Sequence, residues 1–253
     1  MLILVYLKEF KKEQVMVIDN KVIFVSGANR GIGRAIVEAL LKKTVKKVYA
    51  TARKLEDLPK FNDPRVVPIQ LDITNDVQIK KAANEARDVN VLINNAGALS
   101  FASVIFGEES QLKHDMQVNY FGTLNMVRAF VPVIQTNGVG AIANISSVVG
   151  LASMSAIGGY SASKAALFSA SQAMRAELKS KNITVHTIFP GPIDTDMAKG
   201  FEMNKTSPTV AAENIVQGII AGDEDIFPDP MAVGIGSTWS KDPKSLERSF
   251  AGM

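Results

Sequence analysis

The chain of 253 residues contains no cysteine. That excludes disulfides, thiolate metal sites and cysteine nucleophiles, and it fits a reducing compartment, so a cytoplasmic protein is expected. There are two histidines, His114 and His186. Neither is spaced for a serine triad or for a set of metal ligands, so triad hydrolysis and zinc chemistry have no support and no metal is expected. His186 lies in a strand pattern and reads as a core or interface residue; His114 reads as a surface one. Long hydrophobic runs are also missing. The apolar opening Met1–Leu7 is too short to span a bilayer and carries neither a charged leader region nor a small-residue cleavage site, so no membrane association is expected. Charge is balanced, 28 Lys and Arg against 25 Asp and Glu for a net +3, with no basic stripe to suit nucleic acid. No Gly/Ser-rich or Pro-rich linker and no internal repeat divides the chain.

What is present is 47% apolar and 21% charged residues, the composition of a globular protein long enough for one large core. From Lys21 onward, short β-branched runs alternate with helical patterns. Strands are predicted at 22–26, 47–51, 66–70, 91–94, 141–145, 184–188 and 225–227, and helices near 33–43, 76–87, 110–135, 160–180 and 208–221. This alternation predicts a three-layer α/β fold, a Rossmann-type doubly wound parallel sheet of about seven strands. One domain is expected over 21–253, with residues 1–20 as an extension that holds either a short helix or an upstream start. The non-periodic stretch at about 192–208 follows a strand, where a long loop suits a lid over a substrate.

Ser26-Gly27-Ala28-Asn29-Arg30-Gly31-Ile32-Gly33 follows the first strand and opens a helix. Its glycines permit a tight turn and close approach to a pyrophosphate, which the unpaired N–H groups and positive dipole end of the helix would face. A G-x-x-x-G-x-G turn in this setting resembles that of the short-chain dehydrogenase/reductase family, with Ser26 where that family usually has Thr. Enzymes that prefer NAD commonly carry an acid at the end of the second strand for the ribose 2′-hydroxyl. Ala52 stands there, followed by Arg53, and a guanidinium suits a phosphate fork. With Arg30 beside it, the resemblance implies 2′-phosphate recognition and therefore NADP(H). The plainer alternative is that both arginines are solvated surface charges. Asp72 and Ile73 match the family's segment at the adenine edge, although Asp72 could equally cap the next helix. Asn94-Asn95-Ala96-Gly97 matches the family's N-N-A-G at the end of the fourth strand.

Tyr160 and Lys164 stand at i, i+4 near the start of a helix and so share a face. A free phenol has a pKa of about 10. A cation at about 4 Å and an effective dielectric near 20 contributes roughly 4 kcal/mol, about three pKa units, toward making it a usable acid and base. Ser147 ends the fifth strand 13 residues before Tyr160, the family's spacing, and would hydrogen-bond the substrate oxygen. By resemblance, Asn119 supplies a main-chain station for a proton-relay water, and Pro190, Gly191, Ile193 and Thr195 belong to the P-G-x-x-x-T segment at the nicotinamide.

Leu99, Phe101, Leu151, Met154, Ile157, Met197 and Phe201 fall on segments that would line the substrate side, predicting an uncharged or hydrophobic carbonyl. The expected function is hydride transfer between NADP(H) and a carbonyl/alcohol pair. A dinucleotide-binding regulator without turnover is the alternative, and the intact Asn119, Ser147, Tyr160, Lys164 set argues against it. The tail from Ile226, including Trp239, lacks the V-D-G-G-like segment of tetrameric members. A homodimer through the helices near 110–135 and 160–180 is therefore expected, with a tetramer possible.

Overall fold

The computed structural model describes residues 18–253, so the reading of residues 1–15 lies outside the described residues. Seven parallel strands form one sheet in the order β3-β2-β1-β4-β5-β6-β7. They are β1 Val22–Val25, β2 Lys47–Ala52, β3 Val66–Gln70, β4 Val91–Asn94, β5 Gly140–Ile145, β6 Ile183–Ile188 and β7 Asp225–Ile226. The order reverses between β1 and β4, and the crevice beyond their carboxyl ends is where this architecture binds ligands.

Both faces of the sheet are covered, so the strands are largely apolar and alternate residues serve alternate layers. Ile23, Val25, Val91 and Ile93 pack under α1 Gly31–Leu41 and α6 Pro208–Ala221. Val22, Phe24, Leu92 and Ile142 pack under α2 Asp76–Glu85, α4 Thr123–Thr136 and α5 Gly158–Leu178.

The helix expected at 110–135 is three pieces. They are α3 Glu109–Met116, a π turn Gln117–Gly122, and α4. The tail, to which the sequence reading assigns no element, forms two further helices, α7 Pro230–Lys241 and α8 Pro243–Ala251. Each begins with an aspartate cap, Asp229 on Ala232 N–H and Asp242 on Ser245 N–H, followed by a proline in the first turn. Trp239 of α7 meets Phe168 of α5 edge-on at 5.7 Å between ring centroids.

His186 is buried in β6 with Nδ1 2.7 Å from the Asp223 carbonyl and Nε2 3.1 Å from Thr184 Oγ1. A carbonyl only accepts, so Nδ1 carries the proton and Nε2 accepts from Thr184. Burial holds the imidazole pKa below its ordinary 6.5, opposed by the Asp223 carbonyl. The unfolded chain binds this proton more readily than the folded one. The stability contributed by neutral His186 is thus complete above about pH 6.5 and is lost as pH falls from there toward the depressed folded value. We expect the urea midpoint to drop more between pH 7.5 and 5.5 in the wild type than in His186→Gln; equal drops refute this assignment.

Candidate active site

The cradle at the sheet's switch point follows from steric demands of the turn after β1. Gly27 and Gly31 have φ of +66° and +55°, the left-handed region that favours glycine. A Cβ on Gly33 would lie 2.2 Å from the Gly27 carbonyl oxygen and 2.3 Å from Asn95 Nδ2. Ser26 Oγ accepts the N–H groups of Asn95 and Ala96, both at 3.0 Å, while Asn95 Nδ2 donates to the carbonyls of Ser26 and Gly27 at 3.0 and 2.9 Å. The hydroxyl at position 26 therefore locks the end of β1 to the N-N-A-G segment after β4. Ala28 N–H donates to Thr51 O at 2.7 Å, drawing the turn onto the end of β2, next to Ala52 and exposed Arg53.

This concavity, with α1's N-terminus opening into it, fits a dinucleotide's pyrophosphate. Asn29 is half-buried in the turn, and Ile32 packs against the core below it. Arg30 is exposed and ion-paired with Asp196 at 3.2 Å. The resemblance pairs its guanidinium with Arg53 for a 2′-phosphate; in the fold, loop 192–208 crosses the turn and gives it the carboxylate of Asp196 as a partner. Asp72 does not cap a helix. Its Oδ1 accepts from Thr74 N–H and Oγ1, and the cap of α2 is Asn75. Ile73 packs against Gly122 of the π turn.

Four side chains expected to carry chemistry converge beside this cradle. Tyr160 and Lys164, on the first turns of α5, are 9% and 4% exposed, and Lys164 Nζ stands 5.5 Å from the centre of the Tyr160 ring. Lys164 Nζ donates to Ile145 O at 2.7 Å, which anchors it at the end of β5. A Cβ on Gly97 would come within 3.6 Å of that Nζ and 3.1 Å of Asn119 Oδ1, so N-N-A-G borders both. Asn119 lies in the π turn, a form that recurs at functional sites. Its Oδ1 accepts Ala98 N–H at 2.9 Å, and its Nδ2 donates to Ala98 O at 2.8 Å and Ser163 Oγ at 2.9 Å. The amide is thereby spent on holding the loop after β4 to α5, and only the main chain of Asn119 is left for other partners. Ser147 Oγ, 3.4 Å from Pro190 O, caps the short turn Val148–Gly150.

Electrostatics here depart from the estimate based on spacing alone. Burial pushes the Tyr160 phenol well above its ordinary range, and a hydrogen bond from Ser147 only partly opposes this. Burial also lowers Lys164 to about 8, while the charge of Asp115 draws it upward. Desolvation, invisible in an i, i+4 spacing, dominates at both groups in the protein alone.

The apolar residues expected on the substrate side are partly gathered in one place. Leu99, Leu151, Met154 and Ile157 join Tyr160 in one cluster with Phe189, Phe227 and residues of the C-terminal helices, Ile235 and Phe250. Phe101 and Met197 are exposed, and Phe101 meets Phe201 of the 192–208 loop at 5.6 Å between centroids. Ile193 is buried and bridges to Thr206. Thr195 lies across from Gly31, its Cγ2 3.1 Å from where a Cβ would stand.

Sequence reading missed Asp229. This buried carboxylate accepts Gly191 N–H at 2.8 Å and caps α7, tying the tail to the Pro190-Gly191 segment. The signal was there in Asp229-Pro230, an N-cap followed by proline. Asp115 was missed too, an acid four residues before Asn119 and so on its face of the helix.

The profile of a family described as short chain dehydrogenase matches residues 21–206. A 3-ketodihydrosphingosine reductase of Bacteroides thetaiotaomicron is 31% identical over 77% of this chain and 70% of its own length. A short chain dehydrogenase from Burkholderia cenocepacia, solved in complex with NADP, superposes with a TM-score of 0.88 at 38% identity, covering 93% of this chain and 99% of that one. One from Burkholderia phymatum, in complex with NAD, shares the fold at 22% identity and a TM-score of 0.79, covering 90% and 95%. Among the described residues, no helix is long and apolar enough to cross a membrane.

Proposed function

Because the chain belongs to the short-chain dehydrogenase family of oxidoreductases, which use a nicotinamide dinucleotide on small molecules, we propose that it interconverts a carbonyl and an alcohol with NADP(H), through Tyr160 as general acid and base. The observation that carries this reading is the meeting of Tyr160, Lys164, Ser147 and Asn119 beside a glycine cradle whose Gly33 admits no side chain.

Gly27, Asn29, Gly31, Ile32 and Gly33 would hold the dinucleotide's pyrophosphate and ribose, Arg53 and Arg30 its 2′-phosphate, and Asp72 and Ile73 its adenine. Asn95, Ala96 and Gly97, with Pro190, Gly191, Ile193, Thr195, Tyr160 and Lys164, would border its nicotinamide half. When bound, it supplies or accepts the hydride. Ser147 Oγ donates to the substrate oxygen as negative charge gathers there. Tyr160, kept protonated by burial, delivers its phenolic proton to that oxygen in reduction and takes it back in oxidation. Lys164 offsets the phenolate left behind, and the main chain of Asn119 offers the station from which the proton is replaced. The apolar cluster around Tyr160 favours an uncharged or hydrophobic carbonyl. The same reading extends to a cytoplasmic homodimer, with a tetramer possible, through the helices at 110–135 and 160–180, where Phe121 of the π turn is 46% exposed.

A panel of ketones, aldehydes and alcohols, followed by NADPH absorbance, tests the activity; no turnover of any member with NADPH still bound would favour a regulator instead. For the cofactor, Arg53→Asp should weaken NADPH binding by about 10- to 100-fold, the worth of a charged hydrogen-bonding partner, with little effect on NADH. Equal wild-type affinities for NADPH and NADH sink the 2′-phosphate assignment.

A further inference from the structure

Asp115 is a titratable group that the mechanism above does not use. It lies on α3 and is 0% exposed. Its hydrogen-bond partner is Ser100, whose backbone N–H lies 2.9 Å from Oδ1 and 3.3 Å from Oδ2 and whose hydroxyl also steadies the carboxylate. A buried carboxylate whose partner is one neutral residue is expensive to keep, and such groups concentrate where their charge is used.

Its surroundings say where that charge acts. Asp115 and Asn119 are one helical turn apart on the same face, and Asn119 points that face at Ala98 and at Ser163 of α5. Helix α3 packs against α5 and the π turn. Of the elements around Asp115, α5 contributes Tyr160 and Lys164 as titratable groups, and the π turn contributes Tyr120, set edge-on against Phe121. Its own helix contributes exposed His114, and the loop Ala98–Gly107 contributes none. Burial holds the Asp115 carboxyl above its ordinary range, opposed by the Ser100 hydrogen bonds and then by the charges of His114 and Lys164.

We propose that Asp115 is a positioning residue of the active site, whose carboxylate keeps the Lys164 ammonium charged and fixes the substrate-side loop through Ser100, thereby setting the pH range in which Tyr160 works. This rests on the hydride-transfer reading given above. Geometry supplies the dry face shared with Asn119 and the bond to Ser100. The electrostatics agree, since the Asp115 charge draws both Tyr160 and Lys164 upward against the lowering of Lys164 by burial.

The test is the pH dependence of kcat in both directions, using the best substrate pair from the panel. Asp115→Asn keeps the shape and an acceptor for Ser100 N–H but removes the charge. Both Lys164 and Tyr160 should then lose their protons at lower pH. The alkaline loss of carbonyl reduction and the alkaline gain of alcohol oxidation should both move down, by about one pH unit. Asp115→Glu, which restores the charge, should return both limbs toward the wild-type position even if the rate stays low. If circular dichroism shows the Asn variant unfolded, Asp115→Leu takes its place, because an apolar isostere strands no buried charge. Wild-type limb positions in a folded neutral variant, whatever its rate, overturn the proposal and leave Asp115 a structural tie to Ser100. A wild type that turns over no carbonyl or alcohol overturns the hydride-transfer reading and this inference with it.

Discussion

Tyr160→Phe should lower kcat for carbonyl reduction by about 100- to 10,000-fold, the usual worth of a positioned general acid, while NADPH still binds. The substitution removes one oxygen and leaves the ring, which packs with Ile157, Val149 and Phe189, so the fold has no reason to change. Ser147 retains the Pro190 carbonyl as a partner, and Lys164 retains Ile145 O. The loss should therefore appear in kcat at every pH, with the thermal midpoint close to that of the wild type. Full activity in the variant would remove Tyr160 from the mechanism, since among the described residues no other phenol shares the buried face with Lys164.

Gly33→Ala should remove dinucleotide binding and destabilise the protein. The added methyl would stand 2.2 Å from the Gly27 carbonyl oxygen and 2.3 Å from Asn95 Nδ2. The first is backbone, and the second is the amide that clamps β1 to β4, so neither yields like the tip of a flexible side chain. Overpacking of this kind costs about 1–3 kcal/mol, and for a chain of this size each kcal/mol lowers the melting temperature by roughly 2–4 °C. Relief requires breaking the Asn95 bonds to Ser26 and Gly27, which dismantles the cradle itself. Differential scanning fluorimetry with and without NADPH reads both effects: a lower midpoint, and no upward shift on adding cofactor. A variant stabilised by NADPH as well as the wild type would show that the turn is not the pyrophosphate site. Gly31→Ala is the milder comparison, with φ of +55° but only Thr195 Cγ2, at 3.1 Å, in the way.

Several features were legible before any coordinates because they are local. The alternation of β-branched runs and helical patterns is written in neighbouring residues, and the strands predicted from it agree with the observed sheet to within a residue or so at each end. The glycine turn and the Tyr160–Lys164 spacing are also short-range, and each specifies its own backbone or helical face. The π turn was not legible, because the apolar repeat of 110–135 continues through Gln117–Gly122 as it would in an uninterrupted helix. Helices α7 and α8 announced themselves only through Asp229-Pro230 and Asp242-Pro243. The interior of α7, with Gly234 and Gly236, has weak helical preference. It is held by packing, as at Gly236, where a Cβ would lie 2.6 Å from the Phe227 ring.

The order of the chemical groups along the chain, the α/β class and the identity of the candidate acid follow from the amino-acid sequence, because covalent spacing and periodicity carry them. Tertiary packing settled how dry the site is, and with it the desolvation that dominates at both Tyr160 and Lys164. It also joined groups far apart in sequence, Arg30 with Asp196, Gly191 with Asp229, and Asn119 with Ser163. Burial and long-range electrostatics belong to the space around an atom, and that space is filled by residues from elsewhere in the chain.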